Sequence, residues 1–225
     1  MDLLLYLIML LLPFIAQIYV KSTFNRYSTM HSSRGLTADQ VARMILDSNG
    51  IYNTDVEHTP GDLSDHYDPI SNVVNLSDSV YGKSSVAAIG VAAHECGHVC
   101  QHQQNYLPII IRSKIVPVVN FCSRWWSYVL MAGILVTYFL RSTVLIYPAI
   151  IMYAGVVVFQ LVTLPTELDA SSRAMKTLRN DGILENSELP AARKVLTAAA
   201  LTYVANLTAS LIQLFRLISM VNRRR

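Results

Sequence analysis

"IGVAAHECGHVCQHQ" (89–103) decides how this chain is read. His94, Glu95 and His98 stand in a run of alanine, glycine and valine. The spacing predicts a helix over "SSVAAIGVAAHECGHVCQHQQ", capped near Ser84 or Ser85 and ending before Pro108. On a helix, His94 and His98 are four apart and project from one face, one turn apart. Cys96 and Cys100 then lie about 200° away from them and are expected to be buried small hydrophobes. His102 extends the histidine stripe by a further turn, too far along to join the same centre. Gly90 and Gly97 weaken the helix by roughly 1 kcal/mol each, which is tolerated where another element packs closely.

Outward from this helix the chain is built for lipid. Of its 225 residues, 52% are hydrophobic and 15% charged, against about 25% charged in soluble domains. Residues 3–20 carry no charge over 18 positions, 125–140 none over 16, and 142–166 none over 25. A spanning helix needs roughly 20 apolar residues. The first and third runs qualify. The second is short, and Trp125 and Trp126 at its start fit an interfacial aromatic belt. Residues 3–20 read as a retained anchor and not a cleaved signal: Asp2 is acidic, no basic region precedes the run, and "QIYVKSTFNRY" offers no small-residue cleavage site. The net charge of +3 is too small and scattered for nucleic acid. Three cysteines in apolar surroundings form no disulfide framework.

The expected organisation is an anchor at 1–20, a zincin-like region at 21–107, an interfacial segment and transmembrane hairpin at 108–166, and a third-ligand helix with a C-terminal apolar helix at 167–225. Within 21–107, a polar connector (21–36) leads to a helix over "LTADQVARMILDSNG". Thr37 with Gln40 makes a capping-box signal, and Asn49-Gly50 a stop. Asp68-Pro69 and Ser71-Asn72 lie between two short extended runs and predict a hairpin within 63–76. The segment 108–124, interrupted by Arg112, Lys114 and Pro117, predicts a short interfacial helix. Residues 195–215 are uncharged but carry Thr202, Tyr203, Asn206 and Ser210; this helix either spans or lies against the bundle. The fold class is therefore a mainly α membrane protein with a zincin-like helical core, a small β-hairpin and 3–4 transmembrane helices.

Two imidazoles at i and i+4 can hold one Zn²⁺ at about 2.0–2.1 Å each. H-E-x-x-H is the pattern of zinc-dependent proteases, with Glu95 as general base. The metal polarises the peptide carbonyl and lowers the pKa of its bound water; the carboxylate takes that water's proton and hands it to the leaving amine. Two buried histidines without a metal are the plainer alternative. Buried polar groups need partners, and a metal supplies one. A catalytic zinc takes three protein ligands and keeps one position open. The third is expected to be a distal His or Glu. Gln101 and Gln104 stand where a metzincin extension would place Gly and His. The best donor is Glu167 in "LPTELDASSRA", expected to begin a helix after Pro165; the alternative is a solvated acid at a helix N-terminus. Asp169 is expected to point elsewhere, and Ser171 to share the Glu167 face.

"YDPISNVVNLSDSVYGKSSVAAIGVAAHECGHVCQHQ", "LPTELDASSRA" and "AAALTYVAN" together resemble the neutral zinc metallopeptidases of bacterial membranes (YugP-like), over nearly the whole chain. That family is distantly similar to the integral-membrane HtpX-type and CAAX-protease gluzincins. The resemblance implies one Zn²⁺ per chain on His94, His98 and Glu167, with Glu95 as base. It also implies a peptide or protein substrate on or near the bilayer. In the distant relatives an Asp four residues after the ligand Glu orients a zinc-bound His; here Ser171 takes that place and Asp169 is two residues on. The hairpin offers an edge strand to an extended peptide by the same analogy. Tyr203, His66 and Arg173 are the candidates for oxyanion help.

The loops 21–124 and 167–194 carry most of the Lys and Arg, which places the catalytic side in the cytoplasm of a bacterial cell. Four spans would then leave Arg223, Arg224 and Arg225 outside. Either the last helix does not fully cross, or the charge rule fails at one end. A catalytically inactive, zinc-stapled membrane scaffold is the rival function. Its closed site would need four ligands, and helical geometry turns the cysteines away. A metal transporter needs ionisable groups at mid-membrane, which the charge-free spans lack.

Overall fold

The computed structural model describes residues 2–222. Arg223, Arg224 and Arg225, on which the topology conflict turns, lie outside the described residues. The chain is a mainly α membrane protein with six helices and one three-stranded sheet among the described residues. The helices are α1 (Asp2–Ser28), α2 (Ala38–Ser48), α3 (Val86–Gln103), α4 (Leu107–Leu140), α5 (Ile146–Asn180) and α6 (Leu189–Asn222). The strands are β1 (Asp55–His58), β2 (His66–Asp68) and β3 (Val73–Leu76). Three helices are long and apolar enough to cross a membrane: Leu3–Ser28, Ile146–Asn180 and Leu189–Val221. A fourth span arises only if the bent pair α3 and α4 is taken as one. The run 125–140 does not qualify as a span by itself.

The chain forms two compact units. One comprises residues 16–107 and 166–201, with a core built on α2, α3 and the ends of α5 and α6. Val41, Ala42, Ile45 and Leu46 are the buried face of α2. As expected, the Thr37 amide donates to Gln40 Oε1 at its N-terminus, and Gly50 takes φ 72° just after its end. Arg43 ties the following turn down by donating to the Ile51 and Thr54 carbonyls. In α3, Ser85 Oγ accepts from the Ala88 amide, so the cap falls at Ser85. Cys96 and Cys100 are buried in this core, as their helical angle predicts.

The sheet has the order β1-β3-β2. The expected hairpin is its β2–β3 half, antiparallel with Tyr67 opposite Val74. Its turn is held by Asp68, which accepts from the Ile70 amide and Ser71 Oγ. Strand β1, parallel to β3 with Val56 opposite Val74, has no counterpart among the sequence expectations. Its four residues are mostly exposed and carry no alternating pattern.

Among the described residues, the other unit comprises 2–15, 108–165 and 202–222. Tyr153, Val157, Leu207 and Leu217 form its small buried cluster. Two helix boundaries differ from expectation. Residues 108–124 are not a separate interfacial helix: α4 runs unbroken through Pro117 to Leu140. Nor does a helix begin after Pro165, since α5 passes through it. A proline removes one helical hydrogen bond, and apolar spanning helices accommodate that loss. The anchor helix is also longer than its apolar run and takes in residues 21–28 of the expected connector.

Candidate metal centre

Helix α3 presents His94 and His98 with ring centroids 4.8 Å apart and planes at 83°. Helix α5 brings Glu167 against both. Its Oε2 lies 3.2 Å from His94 Nε2 and 3.5 Å from His98 Nε2. One donor atom from each of the three side chains lies within 4.8 Å of the others, the spacing of a group that can hold a metal ion. Glu167 is 2% exposed and sits inside a helix, so the solvated N-terminal acid is ruled out. A carboxylate so deeply buried needs cationic partners, and it has two imidazoles.

The two helices meet closely enough for this because of Gly97. A Cβ there would stand 2.7 Å from the Ala170 carbonyl oxygen. Ala170 lies between Glu167 and Ser171, so the closest backbone approach falls beside the ligand set. Gly90 is different: a Cβ there would meet Ala192 at an ordinary 3.7 Å.

The back of each imidazole is also held. His98 Nδ1 faces Gln101 Oε1 at 3.0 Å. Gln101 Nε2 donates to the Thr166 carbonyl and to Asp169 Oδ2, both at 2.8 Å. The Thr166 carbonyl can only accept, so the amide nitrogen must face it and the amide oxygen must face His98. An amide oxygen only accepts. His98 Nδ1 therefore carries a proton, which leaves Nε2, facing the shared centre, as the ring nitrogen that can offer a lone pair to a metal. Two imidazole nitrogens and a carboxylate, with one tautomer fixed from behind, fit a zinc ion. For His94, Nδ1 shares a 3.1 Å hydrogen bond with Ser171 Oγ. A hydroxyl serves as donor or acceptor and fixes no tautomer alone.

Glu95, beside His94, is 7% exposed. Its Oε2 accepts from the Tyr67 backbone amide of β2 at 3.0 Å. Asp65, at the other end of that strand, accepts from the Ser77 amide and Oγ. Burial, the strongest influence, pushes its carboxyl above the ordinary value; the Ser77 bonds pull it back, and the charge of Glu95 adds to the rise.

His94 and His98 thus meet Glu167, which comes from a distant position on α5, while Glu95 beside His94 is held by β2. Other candidates fall elsewhere. His102 packs edge-on against the Tyr67 ring at 5.4 Å. Arg173 is engaged by Asp169 Oδ2, Gln104 Oε1 and the Tyr106 ring. His66 is exposed and bonds the Ser64 carbonyl. Tyr203 belongs to the other unit. Asp169 does not point away: its Oδ2 accepts from Gln101 Nε2, whose amide oxygen faces His98 Nδ1. Sequence reasoning reaches neither the role of Gln101 nor the Tyr67 amide. A fully buried glutamine three residues after a ligand histidine, on the same helical face, is the signal that marks Gln101.

The family profile described as "Putative neutral zinc metallopeptidase" matches residues 2–222. The "Putative membrane protease YugP" of Bacillus subtilis (strain 168) is 47% identical over 207 residues, covering 92% of this chain and 90% of that protein. No solved structure gives a significant match.

Proposed function

The chain belongs to the neutral zinc metallopeptidase family, and on that premise we propose that it is a membrane-bound, zinc-dependent endopeptidase of the gluzincin type. The observation that carries this reading is the convergence of His94 and His98 from α3 with Glu167 from α5, and Glu95 alongside. His94, His98 and Glu167 would hold one Zn²⁺. When bound, zinc polarises the scissile carbonyl and eases deprotonation of water. Three donors, and not the four of a closed structural site, would suit a catalytic metal, which favours an enzyme over a structural staple.

Glu95 is the general base. The Tyr67 amide holds its Oε2, so the carboxylate is oriented before substrate arrives. It takes the proton of the attacking water and returns it to the leaving nitrogen, as the stoichiometry of peptide hydrolysis requires. Strand β2 is an edge of the sheet, and an extended peptide docks along it by main-chain hydrogen bonds. The substrates are membrane or membrane-proximal polypeptides, and the positive charge of 21–124 and 167–194 puts the site on the cytoplasmic side.

The test is zinc per chain and peptide hydrolysis on detergent-purified wild type, Glu95→Gln, Glu167→Ala and Asp169→Ala. About one zinc is expected in wild type and Glu95→Gln, with hydrolysis only in wild type. Glu167→Ala loses zinc. Full zinc in Glu167→Ala overturns the ligand set; undiminished hydrolysis by Glu95→Gln overturns the base.

A further inference from the structure

A groove of about 550 Å³ opens between residues 168–179 of α5 and 193–200 of α6. Its lining is amphipathic. Lys176, Arg179 and Arg193 supply three cations, Leu168, Met175 and Leu196 an apolar floor, and no acidic side chain lines it. Among the described residues none of these three cations makes a side-chain hydrogen bond or ion pair. Arg173, one turn away, is by contrast neutralised by Asp169.

The two helices that form the groove are both long and apolar enough to cross a membrane. Beside the cations, Leu168 and Leu201 are exposed apolar side chains of the same two helices. A soluble phosphate would use the cations but not the apolar floor. An acidic protein segment would not call for cations carried on two spanning helices.

We propose that this groove binds an anionic phospholipid, with the phosphate on Lys176, Arg179 and Arg193 and the acyl-glycerol end on the apolar floor of Leu168, Met175 and Leu196. Guanidinium groups recognise phosphate oxygens in pairs, and basic clusters at the end of a span attract anionic headgroups. The groove borders the metal centre through Ser171, which lines it and hydrogen-bonds His94, and its test does not depend on hydrolysis.

The experiment uses the full chain, delipidated in a non-ionic detergent, and reads thermal unfolding with added phosphatidylglycerol, phosphatidylcholine or inorganic phosphate. A ligand at a hundredfold excess over its Kd raises the midpoint by on the order of 5 °C. That rise is expected with phosphatidylglycerol only. It is expected to vanish in the triple variant Lys176→Gln, Arg179→Gln, Arg193→Gln and to persist when Lys83, Lys114 and Arg124 are changed to glutamine. An equal shift from inorganic phosphate overturns the lipid as occupant. Equal loss in the control triple reduces the effect to overall charge and overturns the site. Should the groove variant fail to fold, a photoreactive phosphatidylglycerol on wild type decides. Labelling within 168–179 and 193–200 supports the site, and labelling confined to other segments refutes it.

Discussion

Replacing Gln101 by methionine keeps the side chain's length and volume but removes its amide. The substitution leaves one buried polar group without its acceptor, the Nδ1–H of His98, and removes one of the hydrogen bonds to the Thr166 carbonyl. Asp169 keeps Arg173. An orphaned buried donor costs about 1–3 kcal/mol, and Gln101→Met is expected to lose about that much stability. Freed from its acceptor, the His98 ring also loses its imposed tautomer and orientation, and zinc affinity is expected to fall about 10–100-fold. Competition against a chromophoric chelator measures the affinity. Nitrogen chemical shifts of His98 in the metal-free protein report which ring nitrogen carries the proton. Gln101→Glu separates the two effects, because a carboxyl oxygen still accepts from Nδ1. It should keep the tautomer while weakening the link to Asp169. If Gln101→Met folds and binds zinc as tightly as wild type, the relay from Asp169 through Gln101 to His98 has no role.

The close approach of α3 and α5 predicts that Gly97→Ala destabilises by about 1–3 kcal/mol, since its Cβ meets backbone that cannot rotate away. It should weaken zinc binding by displacing Glu167 and Ser171; an unchanged melting temperature with unchanged zinc affinity would refute this. Asp65 gives a pH signature. Its carboxyl is raised in the fold, so the protonated form is favoured by folding, and its contribution is full at low pH and lost as pH climbs through the folded value. The stability difference between wild type and Asp65→Asn, from denaturant titration, is therefore expected to fall with rising pH above the ordinary carboxylate range. A flat or rising difference contradicts the burial effect.

The parts of the site written in local spacing are legible in the sequence alone. His94, Glu95 and His98 follow from a helical period, the cap at Ser85 from a serine before an apolar run, and the β2–β3 hairpin from Asp68-Pro69 and Ser71-Asn72. Glu167 follows from what a zinc site needs, but its surroundings do not. Proline at 165 signals a helix boundary by local rules, and only the unbroken α5 makes Glu167 an interior, buried residue. Pro117 misleads in the same way in α4. Gln101 is opaque because its function lies in contacts with Thr166 and Asp169, more than sixty residues away. Strand β1 is opaque because parallel pairing is set by the neighbour it joins, and its own residues carry no period.

The hydrogen bond that orients Glu95 comes from the main chain of Tyr67, and this shapes how the site can vary. Any amino acid at position 67 except proline brings the same N–H. A saturation scan there would report on the phenol ring, on Asn72 and on His102, and leave the tether of Glu95 untouched. The contact is inherited through the path of β2 and not through the identity of any side chain. Sequence drift can therefore rewrite the strand's surface while the group it holds stays where it is.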